Sequence, residues 1–170
     1  MLIDNCPHSF EELTATVLPM RLANLKEALH KPHSASLFCA AAKGPVSIAR
    51  ELGLQRDFSG CYVLVAKTKP IYVGISRSVL SRLRQHFTGK THFDASLVYA
   101  MAQRGLPTKG KRADAMQVTA FQQEFSKAQS FLRSLHVAFI EIENPLELYV
   151  FEAYAAVKLC THEWNTFRTH

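Results

Sequence analysis

Two separate stretches of this sequence contain the residue types that phosphodiester hydrolysis requires. Tyr62 and Tyr72 lie on two short apolar segments, and Arg82 and His86 follow on a predicted helix. Glu152 comes much later, within a long apolar stretch. Hydrolysis of a phosphodiester needs a group that transfers a proton, cations that bind phosphate and a carboxylate that holds a divalent metal. These five residues are therefore candidates for a shared site.

Glu152 is a charged residue whose position in its predicted helix is not explained by the helix dipole. Glu147 lies in the first turn and Lys158 in the last, where the helix dipole favours their charges. Glu152 shares a stripe with the apolar residues Leu148, Ala155 and Leu159, so its carboxylate should face the core or a cleft. Because burying a lone carboxylate is costly, it needs a cation or several hydrogen bonds. A metal ion and a structural salt bridge to an arginine both remain possible at this point.

Arg82 and His86 are four residues apart, so they lie on the same face of their helix. The adjacent stripe is apolar, which places the pair at the edge of the buried face. A guanidinium stays charged and can donate two hydrogen bonds to a phosphate, and an imidazole can accept a proton near neutral pH. The alternative is an exposed cation beside a surface histidine.

Each of the two tyrosines has a glycine close by in the sequence. Gly60 precedes Tyr62 by two residues, and Gly74 follows Tyr72 by two. A glycine within a strand permits close backbone approach or a bulge. Without the glycines, a tyrosine on a strand would most simply be a core aromatic.

Strands are predicted from β-branched and aromatic content at residues 61–66, 71–73 and 136–142. The connector at 67–70 is short, so the first two strands should form an antiparallel hairpin. Residues 30–36 and the basic stretch 105–112 are predicted as loops.

Helices are predicted before, between and after these strands. The first begins at the capping box of Ser9 and Glu12 and is disturbed at Pro19. Further helices are predicted over 44–54, 79–87, 94–103 and 113–135, and from Pro145 to about Cys160. The 44–54 segment resembles the start of a helix-turn-helix, but a strand follows where the recognition helix should lie. A packing helix is the alternative for that segment.

The basic residues are concentrated in the middle of a chain with a formal charge of +6. Asp94 is the one acid between Lys67 and Arg112, whereas five acids face Lys158 alone between Glu141 and Glu163. A basic middle and an acidic end suit a polyanion together with a cation, although a solvated basic surface is the simpler alternative. The candidate nucleic-acid-binding residues are Lys67, Lys69, Arg77, Arg84, Lys90, Lys109, Lys111 and Arg112.

Composition excludes several classes of protein. The 170 residues suffice for one domain with its own core, and the four scattered cysteines contain no pair with zinc-binding spacing. No apolar run reaches the length of a membrane span, and the acidic N-terminal segment is not a signal peptide. We therefore expect a cytoplasmic protein without disulfides and without a membrane partner.

Two tripeptides, Gly60-Cys61-Tyr62 and Tyr72-Val73-Gly74, resemble the two halves of the signature of the GIY-YIG endonuclease superfamily. Cys61 stands where isoleucine or valine is usual, and Val73 replaces isoleucine; both residues are apolar. The remaining elements occur in the order that this family uses: Ser76, Arg82, His86, Glu152 and Asn165.

The resemblance implies an α+β fold with a small three-stranded, mixed or antiparallel sheet flanked by helices. The nuclease-like domain would span residues 59–170, with a helical insertion at about 91–135. Residues 1–58 would form a helical extension packed on this core.

The activity implied by the resemblance is hydrolysis of nucleic acid with one divalent metal ion, Mg²⁺ or Mn²⁺, held by Glu152. Arg82 would stabilise the scissile phosphate, and Tyr62 would act as general base with help from His86. Tyr72 would position the phosphate or a metal-bound water, and Asn165 would brace the site through hydrogen bonds.

Three functions follow from these observations. The first is an endonuclease that cleaves DNA rather than RNA, with a homodimer possible because two strands need two cuts. The second is a non-catalytic nucleic-acid-binding module of the same fold. The third is a small α+β interaction protein in which Glu152 and Arg82 form a salt bridge.

Overall fold

A computed structural model describes residues 3–167 of the chain. The chain divides into two compact units, each of which is discontinuous in sequence. The first unit comprises Met1–Ser34, Asp57–Val79 and His136–His170, and the second comprises Ala35–Arg56 and Leu80–Leu135.

The first unit contains an antiparallel sheet with the strand order β1-β4-β2-β3. Its strands are β1 (His33–Ser34), β2 (Gly60–Ala66), β3 (Lys69–Ser76) and β4 (His136–Glu141). The predicted hairpin is confirmed, because β2 pairs with β3 from Gly60 opposite Ser76 to Ala66 opposite Lys69. The α+β class expected from the sequence is confirmed as well.

The sheet has one strand more than the three predicted. β1 lies within the predicted loop 30–36 and pairs with β4 through His33 opposite Val137 and Ser34 opposite His136. A strand of two residues is too short to show an alternation of apolar and polar residues. It is recognised as a strand only through its pairing with β4. Stacking of the His33 ring on Phe139, with centroids 5.2 Å apart, adds a contact that local sequence does not encode.

Helices α2 (Leu18–Leu29) and α9 (Pro145–Lys158) pack on one face of this sheet. Strand alternation places Cys61, Val63 and Val73 on that face, and these side chains are buried in one cluster with those of both helices. A salt bridge of 2.6 Å between Arg21 of α2 and the buried Glu147 of α9 connects the two helices.

Two capping arrangements determine where these helices begin. The predicted capping box of Ser9 and Glu12 is present and starts α1 (Phe10–Glu12), from which a π-helical segment (Leu13–Val17) leads into α2. Pro19 lies in the first turn of α2, where a missing N–H is tolerated, so the predicted disturbance occurs just before it. Asn144 caps α9 by accepting a hydrogen bond of 3.0 Å from the Glu147 N–H.

The second unit is helical. Its elements are α3 (Ser36–Cys39), α4 (Pro45–Glu51), α5 (Val79–Thr88, whose first residue belongs to the first unit), α6 (Ser96–Gly105), α7 (Arg112–Ala115) and α8 (Thr119–Arg133). Helices α6 and α8 pack against each other through buried apolar side chains that include Tyr99 and Phe121. The continuous helix predicted over 113–135 is wrong, because the chain leaves helical geometry between α7 and α8.

None of the helices within residues 3–167 has both the length and the hydropathy that a membrane span requires. The cysteines at positions 6, 39, 61 and 160 are all free thiols.

Candidate active site

Tyr62 and Tyr72 lie on the same face of the sheet, opposite to the face that α2 and α9 cover. The register places Tyr62 opposite Gly74 and Tyr72 opposite Leu64, so the two tyrosines are diagonal neighbours. Their ring centroids are 6.2 Å apart with an interplanar angle of 47°. The hairpin therefore brings together the two phenols that the sequence separates by ten positions.

Gly74 makes room for the phenol of Tyr62. A Cβ atom at position 74 would lie 2.5 Å from both Cζ and the hydroxyl oxygen of Tyr62. Tyr62 is 1% exposed, so the ring has little freedom to move away. The sequence predicted a close approach of backbone at this glycine, and the structure identifies the partner as a side chain.

Asn165 pairs with the free edge of β3 at the centre of the second signature tripeptide. Its Oδ1 accepts a hydrogen bond of 2.9 Å from the Val73 N–H, and its Nδ2 donates one of 2.8 Å to the Val73 carbonyl. The side-chain amide thus takes the place of a peptide group on a neighbouring strand. This pair attaches the segment that follows α9 to the strand that carries Tyr72.

Glu152 is half-buried on α9, and burial raises the pKa of its carboxyl group above the usual value. Within residues 3–167, the carboxylate makes no hydrogen bond and no salt bridge. No arginine among residues 3–167 therefore forms the salt bridge that the sequence left possible. A half-buried carboxylate that has no hydrogen-bonding or ionic partner in the described part of the chain is suited to a cation.

The thiol of Cys61 lies near enough to Glu152 to be affected by its charge. Burial raises the pKa of Cys61, and the negative charge of Glu152 raises it further. A thiol in this environment stays protonated and is not a nucleophile. Cys61 therefore acts as an apolar core residue in the position where the signature has isoleucine or valine.

Arg82 is half-buried on α5 and its guanidinium is held by neutral acceptors. Nη1 donates to Gln85 Oε1 at 3.1 Å and to the Asp94 carbonyl at 3.0 Å, and Nη2 donates to Ser96 Oγ at 2.9 Å. These partners orient the side chain without neutralising its charge. Nothing in the local sequence indicates Ser96 as a partner, and sequence analysis missed it.

His86 is fully buried, which differs from the position at a cleft edge that its spacing suggested. Burial and the neighbouring positive charge of Arg82 lower its pKa to about 3. The expected titration near neutral pH is therefore wrong in this structure, and the imidazole is neutral there. A neutral imidazole is in the protonation state that accepts a proton, although its basicity is low.

The first unit thus contains Tyr62, Tyr72, Glu152 and Asn165, and the second contains Arg82 and His86. In the described part of the chain, no group of three or more histidine, cysteine, aspartate or glutamate side chains could enclose a metal. Mg²⁺ commonly keeps several waters and binds one or two carboxylates plus substrate phosphates. Glu152 alone is compatible with that mode, and an enclosed all-protein metal site is not indicated.

The candidate nucleic-acid-binding residues differ in their exposure. Seven of them are exposed, namely Lys67, Lys69, Arg77, Lys90, Lys109, Lys111 and Arg112. Arg84 is half-buried instead, and its Nη1 donates to the carbonyls of Phe38 at 3.3 Å and Ala40 at 3.2 Å. Arg112 also contacts the Tyr99 ring, with its Cζ 5.3 Å from the ring centroid.

Comparison with known proteins agrees with this arrangement. The family model described as the GIY-YIG catalytic domain matches residues 58–156, which include every candidate catalytic residue except Asn165. No curated protein and no solved structure matches the chain. Since the matched segment covers more than half of the sequence and contains the paired signature strands, the chain belongs to the GIY-YIG family and has its nuclease fold.

Proposed function

We propose that this protein is a metal-dependent endonuclease that hydrolyses phosphodiester bonds in DNA. The observation that carries the proposal is Glu152, a half-buried carboxylate on an apolar helix with no hydrogen-bonding or ionic partner among residues 3–167. Burying a carboxylate costs free energy unless a cation or a hydrogen-bonding ligand binds it. Mg²⁺ or Mn²⁺ at this carboxylate would supply Lewis-acid stabilisation of the phosphate.

Arg82 is proposed to bind the scissile phosphate. Its guanidinium is positioned by carbonyl, amide and hydroxyl oxygens, so its charge is available for an anion. A cation held in place before the reaction stabilises the charge that develops on the phosphate without reorganisation.

Tyr62 is proposed as the general base that deprotonates the attacking water. His86 is proposed to help by accepting the proton of the Tyr62 hydroxyl. The ordinary pKa of tyrosine is about 10, so nearby positive charge must favour the phenolate. His86 is neutral at physiological pH, which is the protonation state that a proton acceptor must start from. Tyr72 would position the phosphate or water, and Asn165 would hold the strand that carries Tyr72.

DNA as the preferred nucleic acid, a homodimer and a cytoplasmic location belong to the same proposal. The net charge of +6 and the seven exposed candidate cations favour a polyanion over a neutral ligand. A homodimer would place two sites on the two strands of a duplex.

The test incubates plasmid DNA, single-stranded DNA and RNA with the protein in Mg²⁺, in Mn²⁺ and in EDTA. We expect cleavage with metal and none in EDTA, with DNA cut faster than RNA. Glu152→Ala should lower the rate by about 100-fold or more, because several kcal/mol of charge stabilisation is lost. Tyr62→Phe should lower it as well, and Glu143→Ala, which removes an exposed acid outside the candidate site, serves as the matched control.

Each result of this assay distinguishes one function. Rates unchanged by both Glu152→Ala and Tyr62→Phe would defeat the site assignment. Binding without cleavage in any metal would favour the non-catalytic nucleic-acid-binding module. Absence of both binding and cleavage would favour the α+β interaction protein.

A further inference from the structure

A pocket in the second unit lies outside the candidate catalytic residues. Its volume is about 600 Å³, which is within the range of about 300–1,000 Å³ that is usual for small-ligand sites. It is formed by residues near the start of α6, by α7 with the residues that follow it, and by α8. The lining residues that matter here are Lys90, His92, Phe93, Gln117, Gln122 and Phe125.

Phe93 is an exposed aromatic side chain at this pocket. It is 77% exposed, so packing within the protein does not account for it. The neighbouring His92 ring lies 4.0 Å from it, centroid to centroid, and 6.0 Å from the ring of the buried Tyr99. The pocket therefore has an aromatic wall of which the outer ring is accessible to a flat ligand.

The segment that carries this wall, residues 89–96, is fixed by hydrogen bonds. Thr91 Oγ1 donates to Asp94 Oδ2 at 2.7 Å and accepts from the Asp94 N–H at 3.1 Å. Gln129 of α8 donates to the Gly89 carbonyl at 2.7 Å. The rings are thus presented in a defined position, which reduces the ordering cost of stacking a ligand on them.

Segment 89–96 is also bound directly to Arg82. The guanidinium donates to the carbonyl of Asp94, the residue after Phe93, and to Ser96 Oγ. The cation proposed to bind the scissile phosphate therefore shares hydrogen bonds with the segment that carries the exposed ring. The pocket wall and Arg82 are thus connected through one hydrogen-bonded segment.

The polar groups of the pocket match a nucleotide. Lys90 can bind a phosphate, and the side-chain amides of Gln117 and Gln122 can both donate to and accept from a base edge. None of the lining residues, all of which belong to the described chain, is acidic. Asp94, the acid of segment 89–96, does not line the pocket, and its carboxylate accepts a hydrogen bond from Thr91 Oγ1.

We propose that this pocket binds one unpaired nucleotide of a DNA substrate, with its base stacked on Phe93 and its backbone near Lys90. The base must be unpaired because a base inside a duplex has both faces covered and enters a protein pocket only after leaving the stack. The inference rests on the endonuclease function proposed above and narrows its substrate class. The preferred substrate is DNA with an unpaired nucleotide beside the cleaved bond.

The test measures binding of the full-length protein in EDTA, so that no cleavage occurs. One duplex is fully paired, and the other is the same duplex with a single unpaired 2-aminopurine nucleotide. The wild type should bind the second more tightly and quench its fluorescence. In Phe93→Ala the ratio of the two affinities should fall by about 5- to 150-fold toward one, as expected for loss of one stacked base. Phe93→Trp should retain the preference and the quenching.

Phe131→Ala is the matched control, because Phe131 is an exposed phenylalanine of the second unit that does not line the pocket. It should keep the wild-type ratio. Equal affinity of the wild type for both duplexes, or a ratio that Phe93→Ala leaves unchanged, would overturn the proposal. If an RNA duplex with the same unpaired nucleotide bound more tightly than the DNA duplex, DNA would be wrong as the ligand.

The same samples separate this inference from the proposed catalysis. Cleavage in Mg²⁺ or Mn²⁺ together with an affinity ratio of one would support the endonuclease activity and contradict nucleotide binding at the pocket. A ratio that depends on Phe93 without any cleavage would support the pocket as a nucleic-acid site and reject the endonuclease.

Discussion

Gly74, a residue of the second signature tripeptide, leaves the space that the Tyr62 phenol occupies. A methyl group at this position would meet the Tyr62 ring at 2.5 Å. Gly74→Ala should therefore destabilise the protein by about 1–3 kcal/mol, as overpacking does, and displace the phenol. Because a shift of about 1 Å can cost about 100-fold in rate, cleavage should fall by a similar factor. Thermal unfolding and DNA cleavage measure the two effects.

Gly44→Ala provides the control for this substitution. An added Cβ at position 44 has no heavy atom within 4 Å, and the backbone there is extended. Because Gly44 is the N-cap of α4, alanine there should cost at most about 1 kcal/mol of stability, and cleavage should stay near the wild-type rate. A Gly74→Ala protein that cleaves DNA at the wild-type rate would show that the position of the Tyr62 phenol is not critical.

His86 should make stability depend on pH. Its pKa is about 3 in the folded protein and about 6.5 when unfolded, so between these values the unfolded chain binds the extra proton. The stabilisation is complete above pH 6.5 and is lost as the pH falls toward 3. Between about pH 8 and about pH 5 this single group should remove about 2 kcal/mol from the free energy of unfolding.

Urea unfolding of the wild type and His86→Gln at both pH values isolates this effect. Other titrating groups, including Glu152, are common to the two proteins and cancel in the comparison. The loss of stability between pH 8 and pH 5 should be smaller in His86→Gln by about 2 kcal/mol. His162→Gln, at an exposed histidine, should keep the wild-type dependence. An equal loss in wild type and His86→Gln would contradict the buried, neutral state of His86.

The residue types of the candidate site could be read from the sequence, but their environments could not. Glu152 was identifiable because it interrupts an apolar helical stripe, a pattern that is local. The burial of His86 depends on residues distant in sequence, and its spacing beside an apolar stripe suggested only the edge of a cleft. The partners Asp94 and Ser96 of Arg82 could not be predicted for the same reason, since both lie beyond the end of α5.

At the scale of the element, Asn165 connects the end of the α9 segment to β3. Val73 lies opposite Val63, and its N–H and carbonyl point to the free edge, where Asn165 binds both. Asn165→Ala should lower stability by about 1–3 kcal/mol, because two half-buried backbone groups lose their partner. Hydrogen exchange at the Val73 amide should become faster, whereas the Gly74 amide, which points toward β2, should stay protected.

Asn165→Asp separates the two hydrogen bonds. A carboxylate retains the acceptor for the Val73 N–H but loses the donor to its carbonyl. Stability should fall while the Val73 amide remains protected. Slow exchange at Val73 in Asn165→Ala would show that the amide has another partner and that Asn165 does not hold this edge.

The elements that the sequence predicted well are those with strong local signals. The β2–β3 hairpin, α5 and α9 have apolar periodicity and end at turn or cap residues, and each occurs within a few residues of its predicted bounds. The strand β1 was missed because two residues become a strand only through pairing with β4. The break between α7 and α8 was missed because the apolar spacing continues across it.

At the scale of the whole molecule, the charge of +6 should make DNA binding depend on salt. Each phosphate that a lysine or arginine neutralises contributes about −0.9 to the slope of log K against log salt concentration. The exposed Lys109 and Lys111 precede α7 in the basic loop. If both bind phosphates, the double substitution Lys109→Gln/Lys111→Gln should reduce the slope by about 1.8.

Lys43 and Lys127 provide a control with the same change in net charge. Lys43 forms a salt bridge with Glu51, and Lys127 forms one of 2.6 Å with Glu124. The charge of each lysine is therefore compensated by a neighbouring carboxylate. Lys43→Gln/Lys127→Gln should therefore leave the slope unchanged. The measurement is duplex DNA affinity in EDTA between about 50 and about 200 mM salt. Equal slopes for the two double variants would mean that net charge, and not the basic loop, determines the binding of DNA.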